Sequence, residues 1–117
     1  MAYLFCAGWR MNSQVSALKV GEIMPPIEVA KIDVDNFFGL NRHVDYFVDT
    51  DTDVLFDTER HYYVSGKILN IHEVWSYGGE KHLVNTMKAE PVDECSRPNF
   101  KFEGHLIEFD LVKSQPE

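Results

Sequence analysis

Apolar and polar residues alternate along most of this chain with a period of two, the signature of half-buried β-strands. Tyr3, Leu4, Phe5, Cys6 and Trp9 predict a first strand over residues 2–9, buried on both faces. Ser13 is placed to cap a short helical turn through Leu18, its hydroxyl accepting from a backbone N–H. Gly21 stops that turn, and Pro25-Pro26 forces an extended segment. A strand follows over Ile27 to Val34, with its alternation changing phase near Lys31. Asp33 or Asp35 then caps a helix with Val34, Phe37, Phe38 and Leu40 on one face. Gly39 keeps it to one or two turns, since Gly weakens a helix by about 1 kcal/mol relative to Ala. His43 to Val48 alternates again, as do Val54 and Phe56 against Asp53 and Asp57. That pattern predicts two short strands joined around Asp49-Thr50-Asp51-Thr52.

The clearest pattern is a long hairpin, Tyr62 to Tyr77 out and Lys81 to Glu90 back. Gly78-Gly79 suits a two-residue type I′ turn, because φ > 0 costs glycine nothing at both central positions. This register sets Trp75 opposite His82, Val74 opposite Leu83, His72 opposite Asn85 and Lys67 opposite Glu90. Neither face is cleanly polar, so the ribbon must curl or be covered on both sides. Pro91, Asp93, Ser96 and Pro98 predict a loop, and Phe100 to Val112 a last strand. Its apolar parity switches at Gly104-His105, where a β-bulge would bring Phe100 and Phe102 to one core with Ile107, Phe109 and Leu111. Lys113 to Glu117 reads as a frayed tail. The expected fold is therefore α+β and β-dominated: a curved antiparallel sheet or small barrel with one short helix, in a single domain over residues 1–117.

Composition agrees: 117 residues suffice for one core, and 13 % aromatic content suits pleated surfaces. Cys6 and Cys95 lack CxxC or Cys/His ligand spacing and read as reduced thiols. The short apolar N-terminus meets Arg10 without a basic n-region, and no apolar run reaches bilayer length. A cytoplasmic protein of its host cell, without membrane attachment, is the expectation.

Charge narrows the functional classes. The net charge is −8, and the window from Asp33 to Glu59 carries eight carboxylates against Arg42 alone. Binding to a phosphate backbone needs a basic surface, so direct nucleic-acid binding is not expected. Lys67, Lys81 and Lys88 do lie among Tyr63, Trp75 and Tyr77, but core packing accounts for those aromatics. The acidic run Asp45, Asp49, Asp51, Asp53, Asp57 and Glu59 is instead the candidate partner-binding surface, meeting Lys and Arg on a protein or nucleoprotein. Asp49-Thr50-Asp51-Thr52-Asp53 starts like a calcium loop. Val54 then stands where that loop needs Gly, and Arg60 where it needs the closing Glu, so no metal is expected there.

The histidines His43, His61, His72, His82 and His105 form no recognisable metal or catalytic spacing. His82 with Glu73 could move a proton, yet no nucleophile accompanies them, and polar cross-strand pairing accounts for both. No P-loop, G-x-G-x-x-G, H-E-x-x-H or nucleophile–His–Asp arrangement occurs, so no catalytic residue and no cofactor is expected.

Lys19-Val20-Gly21-Glu22-Ile23-Met24-Pro25-Pro26-Ile27-Glu28-Val29 resembles the opening of MaoC-like hotdog hydratases. Val64-Ser65-Gly66-Lys67-Ile68 and Phe102-Glu103-Gly104-His105-Leu106-Ile107 are similar to that family's closing strands. Asn41-Arg42-His43-Val44-Asp45 is a shortened form of its active stretch, without the Pro and the preceding Asp, so no catalytic role is carried across. The resemblance implies a curled antiparallel sheet. It also implies an alternative function, a small hydratase- or thioesterase-like enzyme or ligand carrier. Its pocket would lie between sheet and helix, with His43 or His72 as the polar group. Composition alone favours a small acidic non-enzymatic inhibitor or adaptor, of the kind phages carry against host machinery, occupying a basic surface on its partner.

Overall fold

The alternation predicted from the sequence folds into a ring of strands. The computed structural model describes residues 1–7, 18–40, 42–49, 61–90 and 92–116. Six strands form one mixed sheet: β1 (Ala2–Ala7), β2 (Ile23–Val34), β3 (Val44–Asp49), β4 (His61–Tyr77), β5 (Glu80–Thr86) and β6 (Lys101–Pro116). Their order is β2-β3-β1-β6-β4-β5, and β2 also pairs with β4. That extra pairing closes five strands into a small barrel, with β5 attached to the outside of β4. All pairings are antiparallel except β1 with β3.

A five-stranded ring is narrower than the eight strands whose interior side chains just fill. Leu4, Met24, Ile27, Val64, Ile68, Ile107 and Phe109 are all 0–1 % exposed in one cluster that fills the barrel. Each such side chain stabilises the fold by about 1.5–3 kcal/mol relative to exposure. A second cluster lies on the opposite face of β1, where Phe5 packs with Phe47, Val74 and Leu106 beneath Phe37 and Leu40.

Bulges reconcile the two apolar parities of the long strands with one interior. In β4, Leu69 is the extra residue between Ile68, opposite Phe109, and Asn70, opposite Glu108. Ile68 and Ile71, three apart, therefore both enter the core. In β6 the shift lies at Glu103, between the pairs Val74–Gly104 and Trp75–Phe102. The predicted bulge at Gly104-His105 is thus present within a residue, and Phe102, Ile107 and Phe109 are buried, whereas Phe100 is half-buried and Leu111, predicted to join them, is 38 % exposed. Gly104 has φ 149°, and a Cβ there would collide with the Cys6 carbonyl oxygen.

The turn Gly78-Gly79 has φ of 58° and 86°, and Trp75–His82, Val74–Leu83 and His72–Asn85 pair as predicted. The hairpin ladder stops at Ile71–Thr86, however, and Lys67 does not meet Glu90. Lys67 lies opposite Ile23 on one side and Asp110 on the other. The reason is closure: Gly21 N–H donates to the Ile68 carbonyl and Ile68 N–H to that of Glu22, displacing the return strand. Residues 87–89 turn instead to residues 18–20, where Val20 N–H donates to Met87 and Ala89 N–H to Leu18.

Three further expectations change. The short helix is a single 3-10 turn, Phe37–Gly39, preceded by Asn36 at φ 51° and without a side-chain cap from Asp33 or Asp35. Val34 ends β2, 39 % exposed, and does not share the buried face of Phe37 and Leu40. Residues 113–116 are not frayed but pair with Tyr62 to Ser65. The predicted cap Ser13 and the predicted strand at Val54 and Phe56 lie outside the described residues. Cys6 and Cys95 are free thiols, the first buried and its pKa pushed up by that burial. Among the described residues no helix is long and apolar enough to cross a membrane.

Candidate functional site

The site is built where β2 ends and β3 begins. The register between these strands shifts between Lys31 and Val34, and Asp33 adopts φ 46° within that irregularity. The chain then turns at Asn36 and is pinned by apolar anchors. The Phe37 ring meets Phe5 and Phe47 edge-on at centroid distances of 5.5 and 5.8 Å. Leu40 N–H donates to the Phe37 carbonyl at 2.9 Å, and Leu40 is buried with them. With the turn anchored, His43 arrives opposite the end of β2.

Three carboxylates surround the His43 ring. Asp35 Oδ1 lies 2.7 Å from Nδ1, while Asp33 Oδ1 and Asp45 Oδ1 lie 3.4 and 3.3 Å from Nε2. An ionised carboxylate only accepts, so the short contact places a proton on Nδ1, donated to Asp35. Nε2 then faces two negative oxygens. The Asp35 hydrogen bond raises the His43 pKa above its ordinary value, with partial desolvation opposing and Asp33 and Asp45 reinforcing the rise. Asp45 is held in place from behind, its Oδ2 accepting the Tyr3 backbone N–H at 2.9 Å. Lys31 Nζ stands 3.6 Å from Asp33 Oδ2. The donor atoms of Asp33, His43 and Asp45 lie within 4.8 Å of one another, close enough to hold a metal ion.

A polar row continues from Asp45 across the outer face of the barrel. Tyr3 lies opposite Glu108, and Glu108 opposite Asn70. Tyr3 Oη donates to Glu108 Oε2 at 2.6 Å, Asn70 Nδ2 to Glu108 Oε1 at 2.7 Å, and Arg42 Nη1 to Tyr3 Oη at 3.2 Å. The Arg42 guanidinium also covers the Tyr3 ring, 5.7 Å from its centroid. The Tyr3 hydrogen bond lowers the Glu108 pKa and raises that of Tyr3 itself. His72 borders this row, and burial, then the charge of Arg42, lowers its pKa.

Of the acidic run read from the sequence, Asp45 alone among the described residues is brought into this cluster. Asp49 sits at the far end of β3, its backbone opposite Ala7. Four residues of strand separate the two by about 13 Å. Phe47, 5 % exposed, lies between them along the strand. Asp51, Asp53, Asp57 and Glu59 lie outside the described residues. From the sequence, Asp33 and Asp35 are candidate helix caps and His43 the polar group of an alternative pocket, with nothing to join the three. Part of their signal is the spacing His43-x-Asp45, since positions two apart on an extended segment share a face, whereas Asp33 at φ 46° and Asp35 in the turn after β2 follow no such alternation. The pocket expected between sheet and helix, with His43 or His72 inside, is filled on the sheet side by Phe5, Phe47, Val74 and Leu106. His43 is exposed at the rim instead.

Compared with protein-family models, curated proteins and solved structures, the chain matches none.

Proposed function

We propose that this protein is a non-enzymatic binding protein, an inhibitor or adaptor, whose acidic rim occupies a basic surface of a macromolecular partner. The observation that carries this reading is the convergence of Asp33 on β2, Asp35 in the turn after it and Asp45 on β3 onto one rim. Their side chains are 49, 92 and 25 % exposed. Among the described residues the only cations within ion-pair distance of them are Lys31 and His43. The filled barrel beneath supports the reading from another side, because it makes the rim a rigid platform. Exposed carboxylates on such a platform raise the on-rate and selectivity for Lys- and Arg-bearing partners more than raw affinity. The Debye length is about 10 Å at 0.1 M salt, so such attraction is lost at high ionic strength.

The test is affinity capture from a lysate of the source cells with wild-type protein and with a variant carrying Asp35→Lys, Asp49→Lys, Asp51→Lys and Asp53→Lys. A partner held at low salt, released at high salt and absent from the variant is expected. Capture of the same partner by both proteins would overturn the proposal.

A further inference from the structure

The geometry points to a second property of the rim: we infer that Asp33 Oδ1, His43 Nε2 and Asp45 Oδ1 form a binding site for a first-row divalent transition metal of the zinc class. Metal bonds of about 2.0–2.1 Å in tetrahedral geometry put neighbouring donor atoms about 3.3–3.4 Å apart. The two separations from Nε2 are 3.4 and 3.3 Å, to Asp33 and to Asp45. Both are longer than the usual N–H···O distance of about 2.9 Å, and all three donor atoms lie within 4.8 Å of one another.

The supporting shell has the form such sites need. A ligating histidine offers one ring nitrogen to the metal and donates the other N–H to a carboxylate, which fixes its tautomer and raises its basicity. Asp35, 2.7 Å from Nδ1, fills that role and leaves Nε2 as the coordinating nitrogen, whose proton the metal would displace. Asp45 shows the same arrangement: its Oδ2 is tied to the Tyr3 backbone N–H at 2.9 Å, from a different strand, which aims Oδ1 toward His43. The three donors come from β2, the segment before β3, and β3, so the closed sheet sets their spacing and no mobile loop is needed. One imidazole with two carboxylates suits zinc, cobalt, manganese or ferrous iron, whereas calcium and magnesium prefer oxygen donors alone. Three protein donors leave at least one coordination position open at the surface. The inference is independent of the partner proposed above, since it concerns the isolated protein.

Cobalt(II) is the probe. Titration of the wild-type protein with Co²⁺ is expected to give visible d–d absorption that saturates at one equivalent and is displaced by Zn²⁺. His43→Ala should abolish the signal. Asp35→Asn, which keeps all three donors, should weaken binding about 10- to 100-fold. Far-UV circular dichroism checks that each variant remains folded, and Asp33→Asn serves as a second ligand variant with an expected loss of at least about 10-fold. No saturable absorption up to millimolar cobalt would overturn the assignment. So would equal binding by wild type, His43→Ala and Asp33→Asn, the mark of adventitious binding elsewhere.

Discussion

His105 sits at the core of this fold as a buried liability, and its titration should dominate the acid sensitivity of the protein. It lies on β6 beside Cys6, is 0 % exposed, and neither ring nitrogen has a hydrogen-bond partner among the described residues. Burial lowers its pKa from 6.5 to about 4, with the charge of Glu90 pulling weakly the other way. The folded state therefore resists the proton that the unfolded chain accepts. Between pH 6.5 and 4 the unfolded state binds more protons, so stability falls as pH falls across that window. The full loss corresponds to about 3 kcal/mol, and between pH 7 and pH 5 it is about 2 kcal/mol. The assay is urea unfolding at those two pH values, for wild type and for His105→Leu. Leu removes both orphan nitrogens at similar volume, so it should be as stable as wild type or more so at pH 7. The expected result is a wild-type loss exceeding that of the variant by about 2 kcal/mol. Equal losses would refute the reasoning, since the other titrating groups are common to both proteins.

Two other perturbations test the scaffold. Gly104→Ala should destabilise by at least about 3 kcal/mol, read as a lower urea midpoint, because its Cβ meets the Cys6 backbone oxygen and φ is 149°. Tyr3→Phe removes the donor to Glu108 and the acceptor for Arg42, and should cost about 1 kcal/mol in the same assay.

The parts of the fold legible in the chain are those written in adjacent residues. The hairpin register follows from Gly78-Gly79, because a two-residue turn leaves one way to align the flanking strands. The bulge near Gly104 announces itself as a parity switch between Phe102 and Ile107. The irregularity after Lys31 does so in the same way. The site was legible only in part. The charge excess of residues 33–59 marks the region, but its linear order treats Asp45 and Asp49 as one run. On β3 they stand at opposite ends with buried Phe47 between them, while Asp33 and Asp35, ten or more residues upstream of Asp45, join it around His43.

By itself, then, the sequence determined most of the described strands, two of their register shifts, the tight turn and the acidic character, because periodicity and turn chemistry are local properties of the chain. The tertiary structure alone decided which strands became neighbours. The parallel pairing of β1 with β3 and the closure of β2 onto β4 join segments far apart in sequence, which no local period encodes. Closure took β4 from its hairpin partner beyond Ile71 and gave Lys67 different neighbours from the one predicted. The antiparallel pairing of β2 with β3, by contrast, brought Asp33, Asp35, His43 and Asp45 to one rim, because it sets the end of β2 against the start of β3.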